Sequence, residues 1–414
     1  MQPAQAGSPK QSRTASSVHD VSVEKPPFGS RFLTDDADVW SQNAWDHVPP
    51  PEDQEDKIAA AIARQKNAPV PEDERQKYNE KPAKHWDNFY KMNADNFFRN
   101  RKWLHLEFPE LVKAAESETG PLTIAEIGCG AGNAVFPLLS ANNNPQLSLH
   151  AYDYSSHAVK LVQHNPLYTS PPCGFIQAAV WDLTSSEFPA GIQPNSVDII
   201  VLVFVLSALH PREWRNAVAN IHKMLKPGGL LLFRDYGRHD LTQLRFKSGR
   251  LLEDNLYIRG DKTRVYFFEI DELSLIFTGA PAPIASKRDT GVKVVEETGD
   301  SAAPESSASS PLHTPAYDPS PAGTFPSDST SMEIPISNIV SETSSPVPHA
   351  PFTALDIHPS LLETPTSDHH PLFAIEQLGV DRRLLVNRKR QLKMYRVWMQ
   401  GKFRKLVSTP TSSN

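Results

Sequence analysis

The chain holds 414 residues with a formal net charge of −6, and 37 of them are proline, well above the ~5% usual in globular proteins. Its two cysteines, Cys129 and Cys173, exclude a disulfide scaffold and a four-thiolate zinc site, so no metal is expected. No apolar run approaches the ~18 residues of a membrane span, and the start has no apolar signal stretch but carries Asp20 and Glu24, so a cytoplasmic protein is expected.

Residues 1–27 are polar and irregular and are expected to be disordered. From Phe28 the texture changes, with Val39-Trp40 and Ala44-Trp45-Asp46 marking an extension over 28–118 that is too rich in Trp for a free tail. A helix is expected over 55–66, stopped by Asn67 and Pro69. Across 71–99, Trp86, Phe89, Tyr90, Phe97 and Phe98 recur at spacings of three, four and seven, the helical period. Pro109 opens another short helix, which Gly120-Pro121 ends.

Over 119–278 strands and helices alternate. Strands are expected at 122–127, 147–152, 175–179, 197–206 and 230–233, with helices at 133–139, 156–162 and 214–225 between them. The 197–206 strand is continuously apolar from Ile199 to Leu206, as a strand buried on both faces requires. A turn is expected at Lys226-Pro-Gly-Gly229. A further strand at 265–268 and a helix at 271–277 lead into a segment over 279–371 that holds fifteen of the prolines and three aromatics. Such a segment cannot bury enough apolar surface to offset its ordering entropy, so a disordered insertion is expected. Within 372–405, two strands at 384–386 and 394–399 close the domain, and 406–414 is a tail. The fold class is α/β: a doubly wound, mostly parallel sheet interrupted by the insertion, with an antiparallel closing strand.

The first strand runs into Glu126-Ile-Gly-Cys-Gly-Ala-Gly132 and then a helix. Glycines at such a junction let backbone approach a ligand closely, and the helix start favours an anionic group. A dinucleotide loop has Gly-x-Gly-x-x-Gly spacing; here the third glycine arrives one residue early. That pattern looks like the S-adenosylmethionine (SAM) loop of class I methyltransferases. Gly128, Gly130 and Gly132 would form the cradle, Asp153 at the end of the second strand would accept the ribose hydroxyls, and Asp182-Leu183 after the third would receive adenine. Asp153 alone also reads as a cap near Ser155.

Two further segments leave the same strand edge: Phe204-Val-Leu-Ser-Ala-Leu-His210-Pro211 and Phe233-Arg-Asp-Tyr-Gly237. The first lacks the Asn/Asp-Pro-Pro-Tyr/Phe of many exocyclic-amine methyltransferases. Together with Lys84-His-Trp86-Asp-Asn-Phe-Tyr90, Arg101-Lys-Trp103 and Tyr395-Arg-Val-Trp398, these segments resemble the methyltransferase-like tRNA N3-cytidine methyltransferases. Phe28-Gly-Ser-Arg-Phe-Leu, Asn43-Ala-Trp-Asp46 and Asp381-Arg-Arg-Leu-Leu-Val-Asn387 resemble its fungal and animal branch, which acts on threonine- and serine-type tRNAs. The resemblance covers 28–279 and 372–405. The insertion departs from the family's pattern, and its Ser-Pro and Thr-Pro pairs read as phosphorylation sites or as an inert spacer.

What the resemblance implies is methyl transfer from SAM to N3 of a cytidine in the tRNA anticodon loop, at position 32. The family's cofactor contacts fall on Trp86, Tyr90, Gly128, Asp153, Asp182, Leu183 and Val203, while Phe89, Phe97 and Phe98 read as core. N3 of neutral cytosine already has a lone pair, so alignment and water exclusion supply much of the rate. Asp235 is a candidate to stabilise developing positive charge, or else a partner of Arg234 or a strand-end cap. His210 is a candidate to orient the base, or else part of a packed turn.

From Asp381 to Lys405 there are ten Lys or Arg against one acid, a footprint for a polyanion or a solvated basic strand edge. Arg99, Arg101, Lys102, Arg382, Arg383, Arg388, Arg390, Arg396 and Lys402 are the expected phosphate contacts. Tyr395 and Trp398 read as stacking or as core residues. The expected partner is tRNA, with an aminoacyl-tRNA synthetase or other accessory protein as a further candidate and no membrane. Two alternatives stay open: a SAM-dependent methyltransferase for protein or small molecules, and an inactive RNA-binding scaffold.

Overall fold

Apolar runs that alternate with amphipathic helices can bury themselves only in a sheet covered on both faces, and the computed structural model has that arrangement. It describes residue 29 and residues 31–101, 103–283, 357–362 and 370–407. The extension supplies a short strand β1 (Ala44–Asp46) and helices α1 (Gln54–Asn67), α2 (Glu72–Asn79), α3 (Pro82–Asn93), α4 (Leu104–Glu107) and α5 (Pro109–Ala114). The alternating core comprises β2 (Leu122–Ile127), α6 (Val135–Ser140), β3 (Leu147–Asp153), α7 (Ser156–Gln163), α8 (Pro166–Thr169), β4 (Phe175–Val180), β5 (Val197–Val203), α9 (Trp214–Met224) and β6 (Leu225–Tyr236). After it come α10 (Leu241–Leu244), strands β7 (Leu251–Glu253), β8 (Leu256–Ile258) and β9 (Arg264–Tyr266), α11 (Ile270–Thr278), and a long hairpin of β10 (Phe373–Asn387) and β11 (Leu392–Lys405).

The main sheet runs β1-β10-β11-β6-β5-β2-β3-β4. Strands β4, β3, β2, β5 and β6 are parallel, and β11 enters antiparallel between β6 and β10. One face buries α9 and α11 against Ile127, Ile200 and Phe233. The other buries α5, α6 and α7 against Ile124, Leu149 and Val201.

Several expectations change. The stretch over 71–99 is not one helix: Pro82, at the first turn of α3, lacks the N–H needed to continue α2. Lys226-Pro-Gly-Gly229 is not a turn but part of β6, absorbed as a register irregularity against β5 between Val197 and Ile199. The strand near 265 does not join the main sheet; it belongs to a separate antiparallel sheet, β7-β8-β9. The closing hairpin extends far beyond the two short strands expected.

The expected disordered insertion over 279–371 is corrected at both ends. Ala282 is buried, and residues 357–362 pack back on the domain. Ile357 is buried, and the His358 backbone N–H donates to Glu272 Oε1 at 3.0 Å. Residues 284–356 and 363–369 lie outside the described residues, as do 1–28, Ser30, Lys102 and 408–414.

Buried charge fastens the hairpin to the core. Asp381 of β10, fully buried, accepts from Arg234 of β6 at 2.5 Å and from Arg383 at 3.0 Å. Arg383 also reaches Glu107 of α4 at 2.5 Å and Asp46 of β1 at 3.1 Å. Arg234 lies between the Trp103 and Trp398 rings, 5.0 and 4.7 Å from their centroids. Burial raises the Asp381 pKa, but Arg383 and Arg234 outweigh it and hold the carboxyl below its usual value.

Candidate active site

The carboxyl ends of β2, β3, β5 and β6 open into one cavity of about 1000 Å³, counting its mouth. Each wall has a local cause. β2 ends at Gly128 with φ +68°, and a Cβ there would lie 2.4 Å from Val205 Cγ2, so only glycine lets the chain turn this closely. Gly130 and Gly132 adopt φ +56° and +83°. They shape the loop from behind and do not line the cavity.

Asp153 closes β3 and lines the cavity with 6% exposure. Its Oδ2 accepts from the Gly130 N–H at 2.9 Å and its Oδ1 from the Ser155 N–H at 2.8 Å. A carboxylate offers about four lone-pair sites, so acceptor capacity remains for a ligand. Burial pushes its pKa up to about 6, against the opposing backbone hydrogen bonds. After β4, Asp182 and Leu183 reach the same cavity; Asp182 Oδ1 accepts from the Thr184 N–H and hydroxyl, both at 2.8 Å. Val203 ends β5 on the adjacent wall.

α3 roofs the cavity. The Trp86 and Tyr90 rings stack at 6.1 Å, one helical turn apart. Phe89, Phe97 and Phe98 pack edge-on or tilted behind them and also reach the cavity. Asp87 anchors this roof, accepting from Ser155 Oγ at 2.8 Å and from the His157 N–H at 3.1 Å at the start of α7. Burial works against ionisation of Asp87, yet these hydrogen bonds leave its pKa below the usual value. Sequence reasoning passed over Asp87; the Ser155-Ser156 pair capping α7 was the available signal.

Neither catalytic candidate lines the cavity. Asp235 is fully buried and accepts from the Ser207 and Tyr236 N–H groups, both at 2.9 Å; burial pushes its pKa to about 6. Ser207 and Tyr236 do line the cavity, so Asp235 supports the wall from behind. The Asp235–Arg234 pairing is also excluded, because Arg234 serves Asp381. His210 caps the turn after β5: its Nδ1 accepts from the Arg212 N–H at 3.2 Å, and its Nε2 lies 3.0 Å from Glu253 Oε1. The packed-turn reading of His210 replaces the base-orienting one.

The basic residues divide. Arg383, Arg396 and Lys402 are not surface contacts: Arg383 sits in the network above, Arg396 pairs with Asp240 at 2.8 Å, and Lys402 pairs with Glu110 at 2.5 Å. Buried cations on central strands need such partners. Arg99, Arg388 and Arg390 are exposed, and Arg382 is half-buried; Lys102 is not described. Arg101 lines the cavity instead of facing outward. Trp398 is core, 4% exposed, and Tyr395 is half-buried on β11. Arg259, Asp261 and Thr263, from the β8–β9 turn, complete the cavity's far wall. Only the turn chemistry of Gly260-Asp261 hinted at that loop.

A family model described as "Methyltransferase domain" matches residues 125–231. The tRNA(Thr) (cytosine(32)-N(3))-methyltransferase of Saccharomyces cerevisiae is 39% identical over 378 residues, covering 91% of this chain and 45% of that protein; this chain thus spans less than half of its length. A solved SAM-dependent methyltransferase from Methanosarcina mazei aligns with 73% of this chain and 99% of its own at 14% identity, with a TM-score of 0.38. The tRNA N(3)-methylcytidine methyltransferase of Schizosaccharomyces pombe is 36% identical over 397 residues, 95% of this chain and 97% of that protein. A match of that depth from end to end makes this chain a member of the tRNA N3-methylcytidine methyltransferase family.

Proposed function

We propose that this protein transfers the methyl group of SAM to N3 of a cytidine in the anticodon loop of tRNA, at position 32, with threonine- and serine-type tRNAs as substrates. The supporting observation is convergence: Trp86, Tyr90, Gly128, Asp153, Asp182, Leu183 and Val203, drawn from five separate stretches of sequence, surround one cavity at the strand edge, where ligands of open α/β sheets bind. The spare acceptor capacity of Asp153 suits a ribose diol, and Leu183 beside Asp182 suits a ring with an exocyclic amine. Bound SAM supplies an electrophilic methyl on a sulfonium.

The chain's own part is to bind, orient and exclude water. The α3 roof covers the cofactor end. Phe204 and Tyr236, with ring centroids 4.7 Å apart, offer the target base an aromatic wall, and Asp235 holds that wall through Ser207 and Tyr236. N3 is occupied in a Watson–Crick pair, so the substrate cytidine is a loop base or a flipped one. Arg99, Arg382, Arg388 and Arg390 are proposed for phosphate contacts. An accessory protein such as an aminoacyl-tRNA synthetase is a proposed partner. Among the described residues no helix is long and apolar enough to cross a membrane.

The direct test incubates the protein with SAM and tRNA lacking the modification, then quantifies methylated nucleosides by mass spectrometry beside an Asp182→Ala control. New 3-methylcytidine that is absent from the control is expected. A different methylated nucleoside overturns the substrate assignment.

SAM affinity is expected to depend on pH through Asp153. Only the ionised carboxylate accepts from two hydroxyls, and its pKa in the free protein is about 6. Binding therefore favours loss of a proton. Affinity is full well above this pKa and falls up to about tenfold per pH unit below it. Calorimetry from about pH 5 to 8 reads the slope, which Asp153→Asn removes. A flat wild-type profile contradicts the role given to Asp153.

A further inference from the structure

Arg101 was expected to meet RNA, but it sits beside the glycine loop. Its backbone N–H donates to Asn133 O at 2.7 Å, and its Nη1 donates to the Val203 carbonyl at 3.2 Å. The guanidinium lies 5.6 Å from the centroid of the Phe204 ring and lines the cavity. No further hydrogen bond or ion pair engages it among the described residues. The acid closest to it in role, Glu126, is fully buried at the end of β2 and makes no ion pair with it. Burial pushes the Glu126 pKa to about 8 even though the Arg101 charge pulls it down, so Glu126 does not neutralise the guanidinium. A half-buried cation with four of its five N–H donors unspent needs an anion from elsewhere.

Sheet order says which part of the cofactor arrives there. Crossing β4, β3, β2 and β5 in turn, the cavity presents Asp182 and Leu183, then Asp153, then Gly128, then Val203 with Arg101. Adenine on the first pair and ribose on Asp153 leave the methionyl portion over β2 and β5. That portion carries a sulfonium, an ammonium and one carboxylate, and only the carboxylate complements a guanidinium.

We propose that Arg101 binds the methionyl carboxylate of SAM through its free guanidinium edge. The proposal rests on the cofactor reading above and adds a residue to it. Arg offers two parallel donors matched to a carboxylate, a geometry Lys lacks.

The test compares SAM with its decarboxylated analogue, which lacks only the carboxylate, by calorimetry on wild type, Arg101→Met and Arg101→Lys. Wild type is expected to bind SAM at least ~10-fold more tightly than the analogue, the scale of one charge-assisted hydrogen bond. Arg101→Met should bring SAM down to the analogue's affinity while leaving the analogue unchanged or slightly tighter, since a like charge has been removed. Arg101→Lys should fall between. Retained analogue binding shows that each variant is folded. Equal weakening of both ligands by Arg101→Met overturns the proposal, as does weakened tRNA binding with SAM affinity intact. Wild type binding neither ligand overturns the cofactor reading itself, a result distinct from either.

Discussion

Asp381→Ala is expected to lower stability by about 3–5 kcal/mol, the cost of removing one partner from a buried ion pair. The carboxylate is fully buried and is shared by Arg234 and Arg383. Arg383 would keep Glu107 and Asp46, whereas Arg234 would keep a hydrogen bond to Gln400 but lose its carboxylate partner, so one buried guanidinium would be left without an acid. The same substitution removes the ion pair that ties β10 to β6 across β11. Urea unfolding reads the change as a lower midpoint with an unchanged slope. The exposed Arg388, tested as Arg388→Ala, should stay within ~0.5 kcal/mol of wild type. A loss below ~1 kcal/mol for Asp381→Ala would mean that water or a relaxed Arg383 replaces the carboxylate.

Gly130→Ala is expected to weaken SAM binding by at least ~10-fold. The residue sits at φ +56°, a conformation that costs an L-residue roughly 1–2 kcal/mol. Its new Cβ would lie 2.4 Å from the Tyr90 hydroxyl oxygen and 3.3 Å from Cζ. Tyr90 must therefore shift, and its stacked neighbour Trp86 shifts with it, so the cavity loses its roof. The clash is specific to one atom, which makes it reversible: Gly130→Ala combined with Tyr90→Phe should recover part of the lost affinity. The backbone strain persists in the double variant, so recovery is incomplete. If the two substitutions simply add, Tyr90 is not what the glycine accommodates.

The parallel strands were legible because they are buried on both faces. The apolar run 199–206, set off by Pro194 before it and Pro211 after it, reads as a buried strand. The cofactor edge was legible for the same reason, since glycines and acids at strand ends keep fixed places relative to those runs. The three-residue strands β7 and β8 were invisible because periodicity needs a longer window than three residues, and of their sheet only β9 was expected, as the strand at 265–268. Only the turn after β8 brings Arg259 and Asp261 to the cavity.

The basic segment was misread for a different cause. A sequence displays charge but not the partner of a charge. Arg383, Arg396 and Lys402 look like a polyanion footprint until the fold supplies Asp46, Glu107, Asp240 and Glu110 from distant stretches. Asp235 misled in the opposite direction: its position after a strand suggested chemistry, and its burial turned it into scaffolding.

The placement of β11 has a consequence for the order in which the protein is made. Strand β6 pairs with β5 early in the chain, but its other edge is taken by residues from Leu392 onward, with Tyr236 opposite Trp398 and Leu230 opposite Arg404. A ribosome must therefore deliver the whole proline-rich stretch before that edge can be covered. Until then the nascent domain carries an open strand with Leu231 and Phe233, wholly buried in the finished sheet, near its rim. Open apolar edges invite pairing with other chains. Synthesis of the residues between Tyr236 and Lys405 is thus the interval in which that edge stays open.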